Sequence, residues 1–398
     1  MKARLLRPWI PLVRAALLVI SAPIVALAAV LGVGSVLPRI PRLGTLGSMG
    51  WPTYIGPGLL VSTVGTGLAA VATRLGSKRV GSALTMTGAA ATVMAAMILS
   101  DQVRSARRAG AHVRPAVFSI TPSPTARPDL TESYAEAPDG RPLRVDVYLP
   151  TAPSPAGSPI MVFVHGGGWI QGSTDEASAD LRWFADQGYI VVSPEYTLAT
   201  AEQPTWDIAM PQIATALAWA ADRAVAWGGD PDRIVAWGGS AGANLALGAT
   251  YAAAAGRLTS ADGRRVPRVR AVAGEVPAVD PRWVYENRDA VWGKVTRGMV
   301  ATYIGGPADQ YPERLEAVRV NSYLTADAPP TLLTACSGDH LVPAGGVRQF
   351  EDEARRAGVE ITVHYRRWGD HLISARFHGL PNQTMLRLYL THFRAHGA

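Results

Sequence analysis

The sequence predicts an α/β fold, a mostly parallel central sheet flanked by helices, preceded by about three transmembrane helices. From about residue 131, short runs of β-branched residues alternate with alanine-rich helical stretches, which is typical of parallel sheets covered by helices. Before that point, long runs without a charged residue are separated by short basic segments, which is typical of membrane spans. The two parts are therefore interpreted separately.

The net charge of the chain is divided unevenly between these parts. Of the total of +7, the first 114 residues contribute +12, with 13 Lys and Arg against the single acid Asp101, and the remainder contributes −5. The basic residues flank apolar runs and form no stripe on a polar surface, which favours membrane topology over nucleic-acid binding. Cys336 is the only cysteine, so an intrachain disulfide is excluded.

Three charge-free runs are each long enough to cross a membrane. They contain 24, 31 and 21 residues and cover residues 15–38, 43–73 and 80–100. Because a helix needs about 20 apolar residues to cross the hydrocarbon core, each run predicts one span. Small residues such as Gly65 and Gly88 are frequent in them, which is typical of helices that pack closely in lipid. A cleaved signal peptide would account for the first run only.

The basic residues at the ends of the spans bear on their orientation. With the N-terminus in the cytoplasm, seven Lys and Arg lie inside and six outside, so the loop charges alone decide little. Because the first helix usually dominates, the sequence predicts a cytoplasmic N-terminus. Three spans then place the C-terminal domain outside the cytoplasm, in a multi-pass protein of the cell membrane.

Composition predicts three segments along the chain. Residues 1–109 form the membrane region, residues 110–130 a proline-rich linker, and residues 131–398 the globular domain. Within this domain we expect strands at residues 143–149, 159–164, 189–192, 233–237, 331–336 and 361–365. Helices are expected at residues 177–187, 208–227 and 243–251, with a terminal helix that begins near Asn382.

A G-x-S-x-G motif lies between a predicted strand and a predicted helix, as Gly238-Gly239-Ser240-Ala241-Gly242. Glycines flank the serine of a nucleophile elbow because the turn is so tight that Cβ atoms there would collide. The strained turn raises the hydroxyl above the sheet. We therefore predict that Ser240 is a nucleophile.

A glycine-rich loop, His165-Gly166-Gly167-Gly168-Trp169, directly follows the predicted strand at residues 159–164. Three consecutive glycines leave backbone N–H groups without side-chain shielding, so these groups can donate hydrogen bonds to an oxyanion. We expect His165 to hold this loop by hydrogen bonds and not to act as the base.

In the serine hydrolases that these two motifs resemble, the acid and then the histidine follow the serine along the chain. Asp339 comes after the predicted strand at residues 331–336, at the edge of an open parallel sheet where sites gather. Asp327 precedes the same strand and would lie at the opposite edge. Asp339 is therefore the predicted acid.

The base is sought among six histidines that follow Ser240. His371 falls in the loop after the predicted strand at residues 361–365 and is the predicted base, with His378 as the alternative. The others are His340, His364 inside that strand, and His392 and His396 in the terminal helix. No metal and no cofactor is predicted, because no recognised ligand spacing occurs among Asp339, His340, Asp370 and His371.

These motifs resemble the α/β-hydrolases of the hormone-sensitive-lipase and carboxylesterase group, in which an HGGG-type loop precedes a G-x-S-x-G serine. The resemblance covers residues 131–398 and includes residues 228–234, similar to the loop that leads into the nucleophile strand. It implies that the oxyanion hole is formed by the backbone N–H groups of Gly167, Gly168 and Ala241.

The sequence differs from that group at two places, and both bear on which subfamily it resembles. Gly239 stands where many such enzymes have aspartate, and residues 195–199 replace a characteristic Tyr-Arg-Leu-Ala-Pro stretch. The elbow is more similar to feruloyl-esterase-like and kynurenine-formamidase-like enzymes.

The expected function is hydrolysis of carboxylic esters, from small molecules or lipids, through a Ser240, His371 and Asp339 triad and an acyl-enzyme. An amidase or formamidase would use the same triad. A non-catalytic membrane interaction protein would be expected to lack a triad member or an oxyanion glycine, and none is missing. Because all this chemistry lies after residue 130, a protein that begins near Thr131 is expected to be active, with the spans as an anchor only.

Overall fold

The computed structural model describes residues 9–152 and 154–398. These residues form two structural units. One unit runs to Pro122 and also takes in Arg367–Thr384, and the other comprises Ser123–Arg366 and Met385–Ala398. The predicted segments at residues 1–109, 110–130 and 131–398 differ from this division. The main difference is Arg367–Thr384, which makes hydrogen bonds with Ser48 and with the segment after residue 110.

The N-terminal unit contains four helices before the proline-rich segment: α1 (Ile10–Val36), α2 (Leu43–Gly50), α3 (Ile55–Arg74) and α4 (Lys78–Arg108). Three of them, α1, α3 and α4, are long and apolar enough to cross a membrane, which confirms the predicted number of candidate spans. The second predicted run is divided between α2 and α3. Pro52 lies in the turn between them, and a proline there removes one backbone donor.

Glycines allow the long helices to approach each other closely. A Cβ atom at Gly65 would lie 2.6 Å from Cγ2 of Ile24, and one at Gly88 would lie 2.4 Å from Oγ1 of Thr66. Both distances are far below van der Waals contact, so a larger residue at either position would separate the helices. The small residues of the predicted spans thus serve helix packing.

The second unit is built on a sheet with the order β1-β2-β4-β3-β5-β6-β7-β8. Its strands are β1 (Leu130–Glu136), β2 (Pro142–Tyr148), β3 (Ser158–Val164), β4 (Ile190–Pro194), β5 (Gly229–Gly239), β6 (Val269–Glu275), β7 (Thr331–Cys336) and β8 (Ile361–Arg366). The pairs β1–β2 and β2–β4 are antiparallel, and the pairs from β4 through β3 to β8 are parallel. The predicted mostly parallel sheet is therefore confirmed.

Helices cover both faces of this sheet, as predicted. They are α5 (Ser178–Ala185), α6 (Ala209–Ala224), α7 (Ala241–Ala254), α11 (Ala344–Arg356) and α12 (Leu380–Ala395). On one face, the ring of Trp237 lies 5.6 Å from that of Phe184 in α5 and 5.8 Å from that of Tyr389 in α12. The next residue back, Ala236, points to the other face, in a buried cluster with Leu217 of α6.

Three short helices are inserted between β6 and β7: α8 (Pro281–Tyr285), α9 (Gly293–Ile304) and α10 (Pro312–Ala317). The indole of Trp169 stacks on the ring of Tyr303 in α9, with centroids 4.7 Å apart and planes 1° apart. This contact packs the inserted helices against the loop that follows β3.

Candidate active site

Ser240 lies in a sharp turn between β5 and α7, with φ of 53° and ψ of −117°. A non-glycine residue pays a strain cost in this region of backbone space. Only glycine fits two residues before and two residues after it: a Cβ at Gly238 would lie 2.3 Å from the carbonyl oxygen of Gly242, and a Cβ at Gly242 would lie 2.1 Å from that of Val164. The Ser240 N–H donates to the carbonyl of Glu275 at 2.8 Å, which ties the turn to β6. This is the geometry of a nucleophile elbow.

The residues on either side of Ser240 differ in what they contribute. A Cβ at Gly239 would meet nothing within 4 Å, so packing does not require a glycine there. Ala241 is the first residue of α7 and is fully buried, and its N–H has no intrahelical acceptor. The positive end of the helix dipole therefore lies next to Ser240.

The glycine loop after β3 lies beside the elbow. Gly167 and Gly168 have φ of 99° and 60°. A Cβ at Gly166 would lie 3.6 Å from Cβ of Ser240. The carbonyl of Gly167 accepts the N–H of Gln171 at 3.2 Å, while in the described part of the chain neither Gly167 nor Gly168 donates its own N–H to an acceptor. Two unused donors therefore lie close to the serine, as an oxyanion hole requires.

His165 and Tyr196 hold this loop through contacts with its backbone carbonyls. His165 is 1% exposed, its ring stacks on Tyr196 with centroids 4.3 Å apart, and its Nδ1 lies 3.0 Å from the carbonyl oxygen of Gly166. Because a carbonyl only accepts, that contact places the proton on Nδ1. The Tyr196 hydroxyl lies 3.2 Å from the His165 carbonyl and 3.1 Å from the Gly166 carbonyl.

Burial keeps both of these side chains neutral. It is the main cause that lowers the pKa of His165, against a smaller opposite effect of the Gly166 carbonyl, and it raises the pKa of Tyr196 well above its usual value. His165 thus has the loop-holding contacts expected of it. Sequence reasoning missed Tyr196, which it noted only as part of a departure from a family pattern.

Asp339 follows β7 at the carboxyl edge of the sheet, the edge at which β5 delivers Ser240. One carboxylate oxygen, Oδ1, accepts the backbone N–H groups of Leu341 at 2.9 Å and Val342 at 2.8 Å. These bonds orient the carboxylate within its own turn. Asp327 is exposed and precedes β7, at the opposite edge from Ser240, as expected.

His371 lies shortly beyond the end of β8 and is 7% exposed. Its backbone N–H donates to Oδ1 of Asp370 at 2.8 Å. His378 lies in the same segment, Arg367–Thr384, where its ring packs edge-on against Phe377 at 5.1 Å. The preference for His371 as the base stays a prediction.

Met299 and Glu176 lie near the glycine loop after β3, and no sequence pattern predicted that either would be there. A Cβ at Gly168 would lie 2.6 Å from Sδ of Met299 in α9, and Oε2 of Glu176 lies 3.9 Å from Nδ1 of His165. Neither belongs to a motif, because one comes from the inserted helices and the other from the loop before α5. Among the described residues, no group of three His, Cys, Asp or Glu side chains is arranged to hold a metal ion.

The sheet order, the elbow after β5 and the glycine loop after β3 together define the α/β-hydrolase class. Among solved structures, the propionate-bound esterase Est2 of Thermogutta terrifontis has the same fold, with a TM-score of 0.55 and 23% identity over 67% of this chain and 94% of that chain. The BD-FAE family profile matches residues 145–353, more than half of the chain. The chain therefore belongs to the BD-FAE family, and the predicted α/β-hydrolase class is confirmed.

Two curated proteins are similar to parts of the chain. Esterase LipQ of Mycobacterium tuberculosis is 28% identical over 276 residues, which are 67% of this chain and 61% of LipQ. The arylacetamide deacetylase of Bos taurus is 36% identical over 109 residues, which are 26% of this chain and 27% of that protein. The chain thus spans about three fifths of the length of LipQ and a smaller part of the deacetylase.

Proposed function

We propose that this protein is a membrane-anchored carboxylic ester hydrolase in which Ser240 is the nucleophile, His371 the base and Asp339 the acid. The observation that carries the proposal is the strained elbow at Ser240, beside the unused N–H groups of Gly167 and Gly168. Similarity to a protein named an esterase supports ester substrates. The acyl and alcohol groups come from a small-molecule or lipid ester.

In the proposed cycle, His371 removes the proton from the Ser240 hydroxyl while Oγ attacks the ester carbonyl carbon. Asp339 fixes the tautomer of the imidazole and stabilises the imidazolium. The carbonyl oxygen becomes an oxyanion and accepts the N–H groups of Gly167, Gly168 and Ala241. The alcohol leaves with the proton from His371, and water then hydrolyses the acyl-enzyme by the same steps in reverse order. The cycle needs no cofactor.

Labelling with a fluorophosphonate tests this function directly, because the probe phosphonylates an activated serine. Membranes that contain the wild-type protein should be labelled, and Ser240→Ala should abolish the labelling. Ser322→Ala is a matched control from the same unit, since the hydroxyl of Ser322 donates to the Glu316 carbonyl at 2.8 Å. It should be labelled like the wild type. Equal labelling of Ser240→Ala and wild type would refute the proposal.

Amide hydrolysis is the second candidate, favoured by the similarity to a protein named arylacetamide deacetylase. An amide leaving group needs protonation more strongly than an alcohol, but the same triad performs both reactions. The comparison to make is kcat/KM for p-nitrophenyl acetate and p-nitroacetanilide, which share the acyl group. The proposal expects the ester to be preferred, and preference for the anilide would replace ester with amide hydrolysis.

We further propose that α1, α3 and α4 span the membrane with the N-terminus in the cytoplasm. The hydrolase unit, our name for Ser123–Arg366 and Met385–Ala398, then lies outside. The length and hydropathy of the three helices support spanning. So do their large exposed apolar side chains, among them Val19, Leu27, Val64, Met86 and Val93. The orientation rests partly on Lys2, Arg4 and Arg7, which lie outside the described residues.

Reporter fusions at the C-terminus test this orientation. An alkaline phosphatase fusion should be active, and a reporter that works only in the cytoplasm should be inactive at the same position. The reverse pair of results would place the hydrolase unit in the cytoplasm.

A further inference from the structure

The segment Arg367–Thr384, which we call the base loop, is held by a hydrogen bond from α2. The Ser48 hydroxyl shares its one proton between Oδ2 of Asp370 at 2.8 Å and the Gly44 carbonyl of its own helix at 2.7 Å, and Ser48 and Asp370 are 1% and 0% exposed. The other oxygen of the same carboxylate accepts the backbone N–H of His371 at 2.8 Å. A buried chain of two hydrogen bonds therefore connects α2 to the backbone of the predicted base.

A second contact fixes the base loop beyond His371. The guanidinium of Arg376, which is 3% exposed, donates to the carbonyls of Ala116 at 2.7 Å and Ser119. Its Cζ atom also lies 5.5 Å from the centre of the Tyr54 ring. A guanidinium that bonds several carbonyls in a fixed fork is a rigid clamp. It ties the loop to the segment after α4.

Apolar contacts hold both ends of the base loop. Near its start, Trp368 packs against a buried cluster of the long helices that includes Trp51, Ile55 and Ile98. At its other end, Leu380 is buried with Val117 and with residues near the end of α4. Between them, the hydroxyl of Thr53 lies 3.3 Å from the carbonyl oxygen of Leu372.

These contacts matter because residues 367–379 of the base loop lie in no helix or strand, and the loop ends in the first turn of α12. A loop of this length is ordered only where other residues hold it. General-base catalysis tolerates little displacement, since a shift of about 1 Å caused by a distant substitution can cost about a hundredfold in rate. The N-terminal helices supply the contacts that such a loop needs.

We infer that the N-terminal helices take part in catalysis by positioning the base, and that Ser48, acting through Asp370, is a positioning residue for His371. This inference rests on the proposed function of His371. It reverses the expectation from sequence that the spans are only an anchor.

The test uses the full chain in detergent or in lipid discs, with p-nitrophenyl butyrate as substrate. Ser48→Ala should lower kcat by about tenfold to a hundredfold and leave KM unchanged, because the loop loses its orientation while the hydrolase unit is untouched. Ser62→Ala is the matched control. Ser62 is also 1% exposed in the same unit, but its hydroxyl donates to the Leu59 carbonyl of its own helix at 3.0 Å. It should keep wild-type kcat.

Asp370→Ala is the second variant, for the case that Ser48→Ala does not fold. It removes the acceptor of both hydrogen bonds, so kcat should again fall about tenfold or more with KM unchanged. Folded variants of both kinds within twofold of wild-type kcat, or changed in KM alone, would overturn the inference. An inactive wild-type protein, or an active Ser240→Ala, would instead refute the proposed function, so the two failures are distinguishable.

Discussion

The elbow that carries Ser240 and the base loop that carries His371 are supported from different parts of the chain. At the elbow, the contacts come from the sheet and helix that frame the serine: Val164, Gly238, Gly242 and Glu275. In the base loop, Asp370 bonds Ser48, 322 positions earlier, and Arg376 bonds Ala116, 260 positions earlier.

The nucleophile and the base of one proposed triad can therefore be held in place by different parts of the chain. The elbow is held by the sheet and by α7, because Gly238 and Gly242 leave no room for a Cβ there. The base loop is held by contacts from the N-terminal unit. Each of the following predictions tests one side of this difference, from the largest expected effect to the smallest.

Replacement of the two reacting side chains should have the largest effect. His371→Ala should lose nearly as much turnover as Ser240→Ala, on the order of 10⁴ to 10⁶, and the double variant little more, since nucleophile and base act as a unit. His378→Ala, in the same base loop, is the matched control and should stay within about tenfold. A folded His371→Ala protein with a tenth of wild-type turnover would show that the base is another residue.

Removal of the N-terminal helices should leave the elbow folded but should disturb the base loop. A protein that starts at Thr131 keeps the buried clusters of the hydrolase unit, so its circular dichroism should show a folded α/β protein. Its turnover of p-nitrophenyl butyrate should nevertheless fall at least about a hundredfold, because the base loop has lost Ser48 and its other partners. A folded truncation with wild-type turnover would remove the difference between the two regions.

Two alanine substitutions in the elbow should give unequal results. A Cβ at Gly242 would lie 2.1 Å from the Val164 carbonyl oxygen and 2.3 Å from that of His165, so Gly242→Ala must displace backbone. We expect a loss of about a hundredfold in kcat/KM. Gly239→Ala adds a methyl group into open space and should stay within about twofold. Equal effects in steady-state kinetics would show that the elbow is not held by this packing.

Mild acid should have the smallest effect and should act on the hydrolase unit. Burial, followed by the nearby His396, lowers the pKa of His392 to about 4, and burial also lowers the pKa of His165. Because the unfolded chain binds these protons more readily, the two groups do not change the free energy of unfolding above about pH 6.5. They reduce it progressively as the pH falls from there towards 4.

Denaturant unfolding of the full chain at several pH values measures this effect. His392→Gln should flatten the decline between pH 6.5 and pH 4, since it removes the group with the larger known shift. An unchanged pH dependence in that variant would show that His392 is not responsible.

Features that arise from local patterns could be predicted from the sequence. The strand predicted at residues 331–336 is β7 with the same bounds, and the elbow follows from a glycine motif between a strand and a helix. Strand β6 was missed because Ala271, Ala273 and Gly274 give it no β-branched run. A Cβ at Gly274 would lie 2.9 Å from Cδ2 of Leu333, so small residues are required where β6 packs between its neighbours.

The support of the base loop could not be predicted. Ser48 lies in a charge-free run that predicts a span, and no periodicity links it to Asp370. The sequence singles out Asp370 only as one of four residues without a recognised metal-ligand spacing. A hydrogen bond between positions 322 residues apart depends on tertiary packing, which single-sequence patterns do not encode.

The rate at which a fluorophosphonate phosphonylates Ser240 in the full chain tests the central claim most directly, because this step requires an activated nucleophile but no release of the acyl group. At equal folded protein, Ser62→Ala should react at the wild-type rate, and Ser48→Ala should react at least about tenfold more slowly. Equal rates for wild type, Ser48→Ala and Ser62→Ala would contradict a catalytic role for the N-terminal helices.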